Sequence, residues 1–205
     1  MHALVELYGS ETGNSLRAAI ALAEADIAFT PKCMELRAGA HRKPEFLVLN
    51  PAGKVPTLVD YSYSPPLVIN QSNAIIQYAD AKAPGRLSPI NLDVEKFMVY
   101  DRFFFFITDV IANSHAAFFL RQVGHRDASV PLDERALENL LTAETFLEEG
   151  YIAGETFSMA DISAFTFALS IRGQIPWDKL PRMKEWFELV AKRTAVKYGM
   201  RAFQG

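Results

Sequence analysis

The chain has 205 residues, of which 50% are hydrophobic and 22% are charged, and its formal net charge is −3 at pH 7. This length suits two small domains, and the composition is that of a chain that buries a core. Phosphate binding needs clustered Lys and Arg, which the chain lacks, so we do not expect nucleic acid as a partner. The single cysteine, Cys33, cannot form an internal disulfide, and no metal-ligand spacing is present. We therefore expect a reducing compartment and no metal.

The sequence contains no pattern that is typical of secretion or of a membrane span. The first six residues lack the basic region and the long apolar run of a signal peptide. The most apolar stretch, Phe103 to Ala112, is interrupted by Asp109 and is much shorter than the ~20 residues of a membrane span. The sequence thus predicts a cytoplasmic protein that is not inserted in a membrane.

The first eighty residues alternate short apolar strands with helical patterns. A strand at 4–8, a helix with Leu16 and Ile20 on its inner face, and a strand at 29–36 predict a βαβ unit. Pro31 favours an edge position for the second strand, because proline cannot donate to the ladder. A short helix near 45–49, strands at 56–60 and 67–69, and a helix at 72–82 follow. This order is that of a thioredoxin-like α/β domain.

The second half of the chain shows helical patterning without strand alternation. Two prolines and a glycine at 83–89 indicate a linker. Helices are predicted at 92–122, 132–149, 159–171 and 179–193, with Pro131 expected between two of them. We therefore predict a thioredoxin-like domain at 1–82 and an all-α domain at 90–205.

A Val55-Pro56 step precedes the third predicted strand. A cis bond at Pro56 would turn the backbone N–H and C=O of Val55 away from the sheet, where a peptide-like ligand can pair with them as an added strand. The alternative is an ordinary trans proline that opens a strand.

Two further segments place polar groups where helices begin. Ser72 after Gln71 is a candidate N-cap, and the first turn that it opens would offer N–H groups to a carboxylate. The segment Ser10–Ser15 contains several hydroxyl and amide groups, of which capping requires one, expected to be Asn14 or Ser15. A remaining hydroxyl could donate a hydrogen bond to a thiolate and lower the pKa of the thiol. The alternative reading of both segments is plain helix capping.

Taken together, the motifs resemble those of the glutathione transferase superfamily over essentially the whole chain. The matching segments are Leu7–Ser10 with Ser15–Leu22, Asn50–Leu58, Gln71–Tyr78 and Phe157–Ile162. The combination is specific to the superfamily and less specific for a class, with zeta-like and nu-like features. The last segment is a capping-box arrangement, Ser158 with Asp161, which predicts a core helix and no catalytic role.

The resemblance implies how glutathione would be bound. Val55 would pair with the cysteinyl backbone, while Gln71 and Ser72 would hold the γ-glutamyl group. His41 and Lys54 are candidates for the glycine carboxylate, although a solvent-exposed loop is an equally good interpretation of the histidine. Gln71 replaces the commoner acidic residue, so the γ-glutamyl amine loses a charged partner locally.

The implied activating residue is Thr12. Alignment with zeta-type and nu-type motifs selects Thr12 in both cases, with Asn14 as a second nu-type position and Ser10 as the alternative hydroxyl. Beta-like members carry a cysteine at the position of Asn14, so their mixed-disulfide chemistry is not expected here. Tyr8 is interpreted as a core residue at the end of a strand.

The helical domain would line a pocket for a small hydrophobic electrophile. Its candidate residues share one helix face and are Tyr100, Phe103, Phe104 and Ile107. Core packing is the alternative for most of them.

The resemblance also implies a homodimer, in which Asp101 could supply the missing charge across the interface, or could simply be a surface residue. Two other functions stay open, namely glutathione-dependent reduction of disulfides or peroxides and a non-catalytic binding module.

Overall fold

The computed structural model describes residues 4–204, which divide into two compact units. The first unit extends to Leu87 and also contains the segment from Ala191 onward, and the second is Ser88–Val190. The boundary after Leu87 falls within the segment 83–89 that was predicted as a linker. The units differ from the predicted 1–82 and 90–205 mainly in the C-terminal segment, which belongs with the N-terminal unit.

The first unit contains a four-stranded mixed sheet with the order β2-β1-β3-β4. The strands are β1 Val5–Gly9, β2 Phe29–Cys33, β3 Thr57–Asp60 and β4 Leu67–Ile69. β1 runs parallel to β2 and antiparallel to β3, which in turn runs antiparallel to β4. β2 is an edge strand, as Pro31 predicted, and it ends three residues earlier than 29–36. The bond from the N–H of Met34 to the C=O of Gly9, at 2.7 Å, is the last one that joins it to β1.

The described helices are α1 Gly13–Glu24, α2 Pro44–Leu47, α3 Ser72–Lys82, α4 Val94–Phe105, α5 Ala112–Gln122, α6 Arg126–Thr142, α7 Met159–Ser170, α8 Pro181–Lys192 and α9 Thr194–Arg201. In the first unit, α1 packs against both α3 and α9. The middle of α1, Ala18–Leu22, is completely buried. α9 was not predicted, because Arg193 alone separates it from α8 and no glycine or proline marks the break.

An ionic network closes the end of β3 against α3. The Asp60 carboxylate, 2% exposed, accepts hydrogen bonds from the Ser62 N–H at 2.9 Å and the Tyr78 hydroxyl at 2.8 Å, and lies 3.7 Å from the Lys82 ammonium. Burial raises the pKa of Asp60, but the hydrogen bonds and the Lys82 charge outweigh it and hold the pKa below its ordinary value. Asp60 is therefore ionised in the folded protein at neutral pH.

In the second unit, α4 continues through a π-helical segment, Phe106–Ile111, into α5. The predicted helix at 92–122 is thus a continuous helix with a widened middle turn. The C=O of Asp109 in this segment accepts hydrogen bonds from the amides of Asn113 and Asn139, at 2.6 and 2.7 Å. Two side-chain amides thus hold a carbonyl of the wider turn.

The helix predicted at 132–149 lies instead at Arg126–Thr142, with Pro131 inside it. Pro131 has no N–H to donate to the carbonyl four residues earlier and its ring crowds that carbonyl, so it is an unfavourable residue inside a helix that nevertheless continues through it.

The capping box at the start of α7 is confirmed. The Ser158 N–H, the Ile152 N–H and the Trp186 indole N–H donate to the carboxylate of Asp161 at 2.8, 3.0 and 2.8 Å. Asp161 is completely buried. It therefore joins the start of α7 to α8 and to the loop before α7.

By length and composition the continuous helix Val94–Gln122 is able to cross a membrane. It has 29 residues, a mean hydropathy of 1.5 in its most apolar window, and 28% of that window is buried. The core helix of a soluble protein passes the same test. Within residues 4–204, no group of three or more His, Cys, Asp or Glu side chains is arranged to hold a metal ion.

Candidate functional site

The hydroxyl loop between β1 and α1 is organised by Thr12 and Ser15. Thr12 is the N-cap of α1, and its Oγ1 accepts from the Ser15 N–H at 3.4 Å. The two hydroxyl oxygens lie 3.0 Å apart, and the Ser10 N–H donates to the Ser15 Oγ at 3.3 Å. The expectation that Asn14 or Ser15 caps the helix is therefore wrong, because Thr12 has the extended backbone that an N-cap needs. Ser15 is completely buried and braces the loop from inside.

This arrangement leaves a proton of Thr12 available to a ligand. When the Ser15 hydroxyl donates to Thr12 Oγ1, the hydroxyl hydrogen of Thr12 is free to donate outward. Ser10 is half-buried, and its hydroxyl makes no hydrogen bond within the described part of the chain. Both hydroxyls that the sequence selected are thus able to act as donors.

A buried arginine joins the hydroxyl loop to the start of α3. Arg17, 2% exposed, donates from Nη1 to Asn14 Oδ1 at 2.8 Å and to Ser72 Oγ at 3.3 Å. Burial lowers its pKa to about 10, so the guanidinium is still positively charged at neutral pH. No role for Arg17 was predicted from the sequence, although a charged residue inside the apolar run of α1 indicates one.

α3 begins at Ser72, and its N-cap is Gln71. The prediction that Ser72 is the cap is wrong by one residue, because Gln71 has the extended backbone and its C=O accepts from the Ile75 N–H at 2.9 Å. The side chain of Gln71 makes no capping hydrogen bond to this helix. The first-turn N–H groups and the positive end of the helix dipole therefore remain available for a carboxylate.

The Val55-Pro56 bond is cis, one of the two alternatives that the sequence left open. Val55 is half-buried. Neither its N–H nor its C=O takes part in a backbone hydrogen bond with any residue of the described range 4–204. Both groups are therefore available to a peptide-like ligand.

A chain of amide hydrogen bonds holds the Val55-Pro56 turn against the segment before α3. The buried Asn50 donates from Nδ2 to the Lys54 C=O at 2.7 Å and to Thr57 Oγ1 at 3.3 Å. Thr57 then donates to Asn70 Oδ1 at 2.9 Å, and Asn70 donates to the Leu49 C=O at 3.0 Å. Asn70 directly precedes the cap of α3, so this network fixes one binding segment relative to the other.

His41 and Lys54, the two candidates for binding the glycine carboxylate, lie close to the same tight turn. His41 is in a 3-10 turn, Ala40–Arg42, and its buried Nδ1 has no hydrogen-bond partner among the described residues. The C=O of His41 lies 2.9 Å from the place where a side chain on Gly53 would begin. The side chain of Lys54 is exposed. Both residues thus adjoin the Val55-Pro56 turn.

Tyr8 is not placed to activate a ligand. Its hydroxyl donates to Glu6 Oε2 at 2.8 Å, and its ring lies 5.9 Å from that of Phe46. Burial and the neighbouring Glu6 carboxylate both raise its pKa. Its interpretation as a packed strand residue agrees with these contacts.

The four aromatic and aliphatic candidates of the second unit do not form one exposed face. Phe103 is 1% exposed and belongs to the core, Phe104 is 53% exposed, and Tyr100 and Ile107 are half-buried. None of them lines the cavity of about 230 Å³ beside Arg102 and Phe146.

The carboxylate of Asp101, on the same helix, is paired with an arginine of its own unit. Its carboxylate accepts from Arg102 Nη1 at 2.7 Å. Its expected role toward a second chain stays a prediction.

Comparison with known proteins gives consistent results for both halves of the chain. The family model "Glutathione S-transferase, N-terminal domain" matches residues 13–82. The chain is 25% identical to glutathione S-transferase A of Pleuronectes platessa, covering 93% of this chain and 88% of the relative. It is 27% identical to glutathione S-transferase F10 of Arabidopsis thaliana, covering 92% and 97%.

Solved structures share the complete fold. A glutathione transferase homolog from Lodderomyces elongisporus, solved with two GSH per subunit, superposes with a TM-score of 0.83 at 19% identity, covering 96% of this chain and 97% of that one. Gtt2 from Saccharomyces cerevisiae has a TM-score of 0.81 at 24% identity, covering 95% and 99%. The family model over residues 13–82, the curated relatives and the shared fold all support the glutathione S-transferase superfamily.

Proposed function

We propose that this protein is a glutathione transferase that binds glutathione on its first unit, stabilises the thiolate and directs it at a small hydrophobic electrophile. The observation that carries the proposal is the buried Arg17, which hydrogen-bonds the hydroxyl loop through Asn14 and the start of α3 through Ser72. The chemistry of a tripeptide with two carboxylates and a thiol fits the groups that these segments offer. Glutathione-bound relatives of the same fold support the choice of ligand.

Each part of glutathione has a proposed partner. The free N–H and C=O of Val55 would pair with the cysteinyl backbone. Gln71, Ser72 and the uncapped first turn of α3 would hold the γ-glutamyl carboxylate. His41 and Lys54 would meet the glycine carboxylate, since both adjoin the same turn. No metal takes part in this proposal.

Thr12 would donate its hydroxyl hydrogen to the sulfur, with Ser10 as the competing donor and Asn14 acting through Arg17. A hydrogen bond to a charged group contributes about 1.5–3 kcal/mol. Given entirely to the thiolate, it lowers the thiol pKa by roughly one to two units. At neutral pH this raises the fraction of reactive thiolate by about one to two orders of magnitude.

The second unit would supply the apolar side of the site, with Tyr100, Phe104 and Ile107 as its accessible members. A homodimer, a cytoplasmic location and a role in detoxification belong to the same proposal.

The test compares Thr12→Ala with Thr12→Ser and Ser10→Ala. The thiolate of bound glutathione is titrated by its ultraviolet absorbance, its affinity is measured by calorimetry, and turnover is measured with an aromatic electrophile. We expect Thr12→Ala to raise the bound thiol pKa by about one to two units with nearly unchanged affinity, and Thr12→Ser to retain a low pKa.

Ser158→Ala is the matched control, because it removes an N-cap hydroxyl of similar stabilising value, about 1 kcal/mol, from the other unit. A pKa shift in Ser10→Ala and none in Thr12→Ala would transfer the role to Ser10. Glutathione-dependent reduction of a small disulfide without transfer to the electrophile would favour the reductase, and no glutathione binding at all would favour the non-catalytic module.

A further inference from the structure

The C-terminal segment 193–203, here called the C-terminal brace, follows α1 from its last turn back to its start. Arg193 donates two hydrogen bonds of 2.7 Å to the carboxylate of Glu24, which is 8% exposed, at the end of α1. Gly199 lies against the middle of α1, where an added Cβ would meet the backbone of Ile20 at 2.7 Å. Val196, between them, is completely buried. The brace is thus attached at both ends and packed at backbone distance between them.

The brace ends on the residue that opens the hydroxyl loop. The ring of Phe203, 5% exposed, occupies the space in which a side chain on Gly9 would lie, with its Cζ 2.3 Å from that position. Gly9 is the last residue of β1, and its C=O is held by the N–H of Met34. Phe203 therefore packs directly on the backbone from which Ser10 continues.

Only a short length of chain separates this contact from the proposed donor. The Ser10 N–H donates to the Ser15 hydroxyl, and the Ser10 C=O accepts from the Thr12 N–H at 2.7 Å. A displacement of Gly9 would move Ser10, which takes part in both of these bonds, and through them the hydroxyl of Thr12. A hydroxyl that stabilises a thiolate has to be held at hydrogen-bond distance from the sulfur. The contact that fixes the position of Gly9 therefore affects the reaction.

We propose that the C-terminal brace is a positioning element for the hydroxyl loop, and that Phe203 is its positioning residue. This inference rests on the proposed function for its chemical consequence, but the mechanical part stands on the packing alone. Phe203 touches no reacting atom in this proposal and acts through Gly9.

The first experiment measures amide hydrogen exchange of residues 9–15 without any ligand. In Phe203→Ala we expect exchange of the Ser10 and Thr12 amides to become about tenfold faster, because the loop loses the surface that holds it. Tyr198→Ala is the control within the brace, on α9, since Tyr198 is 56% exposed and its ring faces Phe29. Val196→Ala controls for a general loss of stability of α9.

The second experiment uses the fit between the two residues. Gly9→Ala alone should disturb the loop strongly, whereas Gly9→Ala combined with Phe203→Ala should disturb it less, because the ring that the new methyl would strike is gone. Phe203→Leu, which keeps most of the volume, should resemble the wild type. Strictly additive effects of Gly9→Ala and Phe203→Ala would overturn the proposal, as would equal exchange rates in Val196→Ala and Phe203→Ala.

The third measurement joins the brace to the chemistry. In Phe203→Ala the pKa of bound glutathione should rise by about one unit and kcat should fall with little change in KM. A faster-exchanging loop with an unchanged thiol pKa would overturn the positioning role while leaving the proposed function intact. If the wild type binds no glutathione, the proposed function fails, and the exchange experiment still decides whether the brace holds the loop.

Discussion

Replacing Arg17 with methionine removes the guanidinium that bonds both Asn14 and Ser72. Burial lowers the pKa of this arginine to about 10, and a lowering of that size means that the buried charge costs the fold about 3 kcal/mol. The hydrogen bonds to Asn14 and Ser72, taken at about 1.5 kcal/mol each, which is the lower end of the range for a charged donor, offset about 3 kcal/mol of this cost. The two contributions nearly cancel, so we expect the free energy of unfolding of Arg17→Met to change by less than about 1 kcal/mol.

Glutathione binding should respond very differently. Without the shared donor, the hydroxyl loop and the start of α3 are no longer fixed to each other, and the site has to be ordered when the ligand binds. A loss of about 2 kcal/mol corresponds to an approximately thirtyfold higher Kd. The Kd of Arg17→Lys should lie between those of the wild type and Arg17→Met, because a single ammonium does not reproduce the forked hydrogen bonding of a guanidinium.

Calorimetric titration with glutathione and urea denaturation measure the two quantities separately. Arg86→Met is the control, since Arg86 is an exposed arginine of the same unit whose partner is the exposed Asp26. A Kd for Arg17→Met within about threefold of the wild type would refute the reasoning. So would a loss of affinity that only follows a loss of stability, because Arg17 is expected to serve the binding site and not the stability of the fold.

Three predictions concern the frame around the site. Folding lowers the pKa of Asp60, so its contribution to stability is complete above its unfolded pKa and is lost as the pH falls through its folded pKa. Asp60→Asn should therefore weaken the loss of stability at acid pH, measured by urea titrations at several pH values. Asp161→Ala should lower the free energy of unfolding by about 3–5 kcal/mol, measured by chemical denaturation, because it leaves buried N–H donors without an acceptor. Gly199→Ala should lower the Tm, since its Cβ would lie 2.7 Å from the backbone of Ile20, whereas Gly173→Ala, with open space around it, should not.

Each of these has a clear contrary result. If the free energy of unfolding of Asp60→Asn falls with decreasing pH as steeply as that of the wild type, other carboxylates cause the pH dependence. A loss below about 1 kcal/mol in Asp161→Ala would mean that water replaces the carboxylate. Equal Tm values for the two glycine variants would show that α9 moves aside without cost.

The sequence predicted the thioredoxin-like sheet and the helical second half because each rests on a local pattern. Pro31 was enough to place β2 at an edge, and the Ser158–Asp161 spacing was enough to predict the cap of α7. The predicted helix ends were less accurate. Thr12 and Gln71 are N-caps because their backbone is extended, and the sequence does not show which of several neighbouring polar residues has that conformation.

Contacts between distant segments were not predictable in this way. The role of Arg17 depends on Ser72, 55 residues further along, and the role of Phe203 depends on Gly9 at the other end of the chain. A local pattern identifies a buried charge or a missing side chain as unusual, but its partner follows only from the tertiary structure. The amide network of Asn50 and Asn70 was missed for the same reason.

The return of residues 193–203 to the first unit has a consequence for synthesis. A ribosome makes the strands and helices of that unit early, but α9 and Phe203 emerge only after the whole second unit has been translated. Until then α1 exposes the apolar surface that α9 later covers, and such surface is where nascent chains associate wrongly or recruit chaperones. The N-terminal unit is thus begun before the second unit and completed after it, so a truncation before α9 would leave part of α1 uncovered.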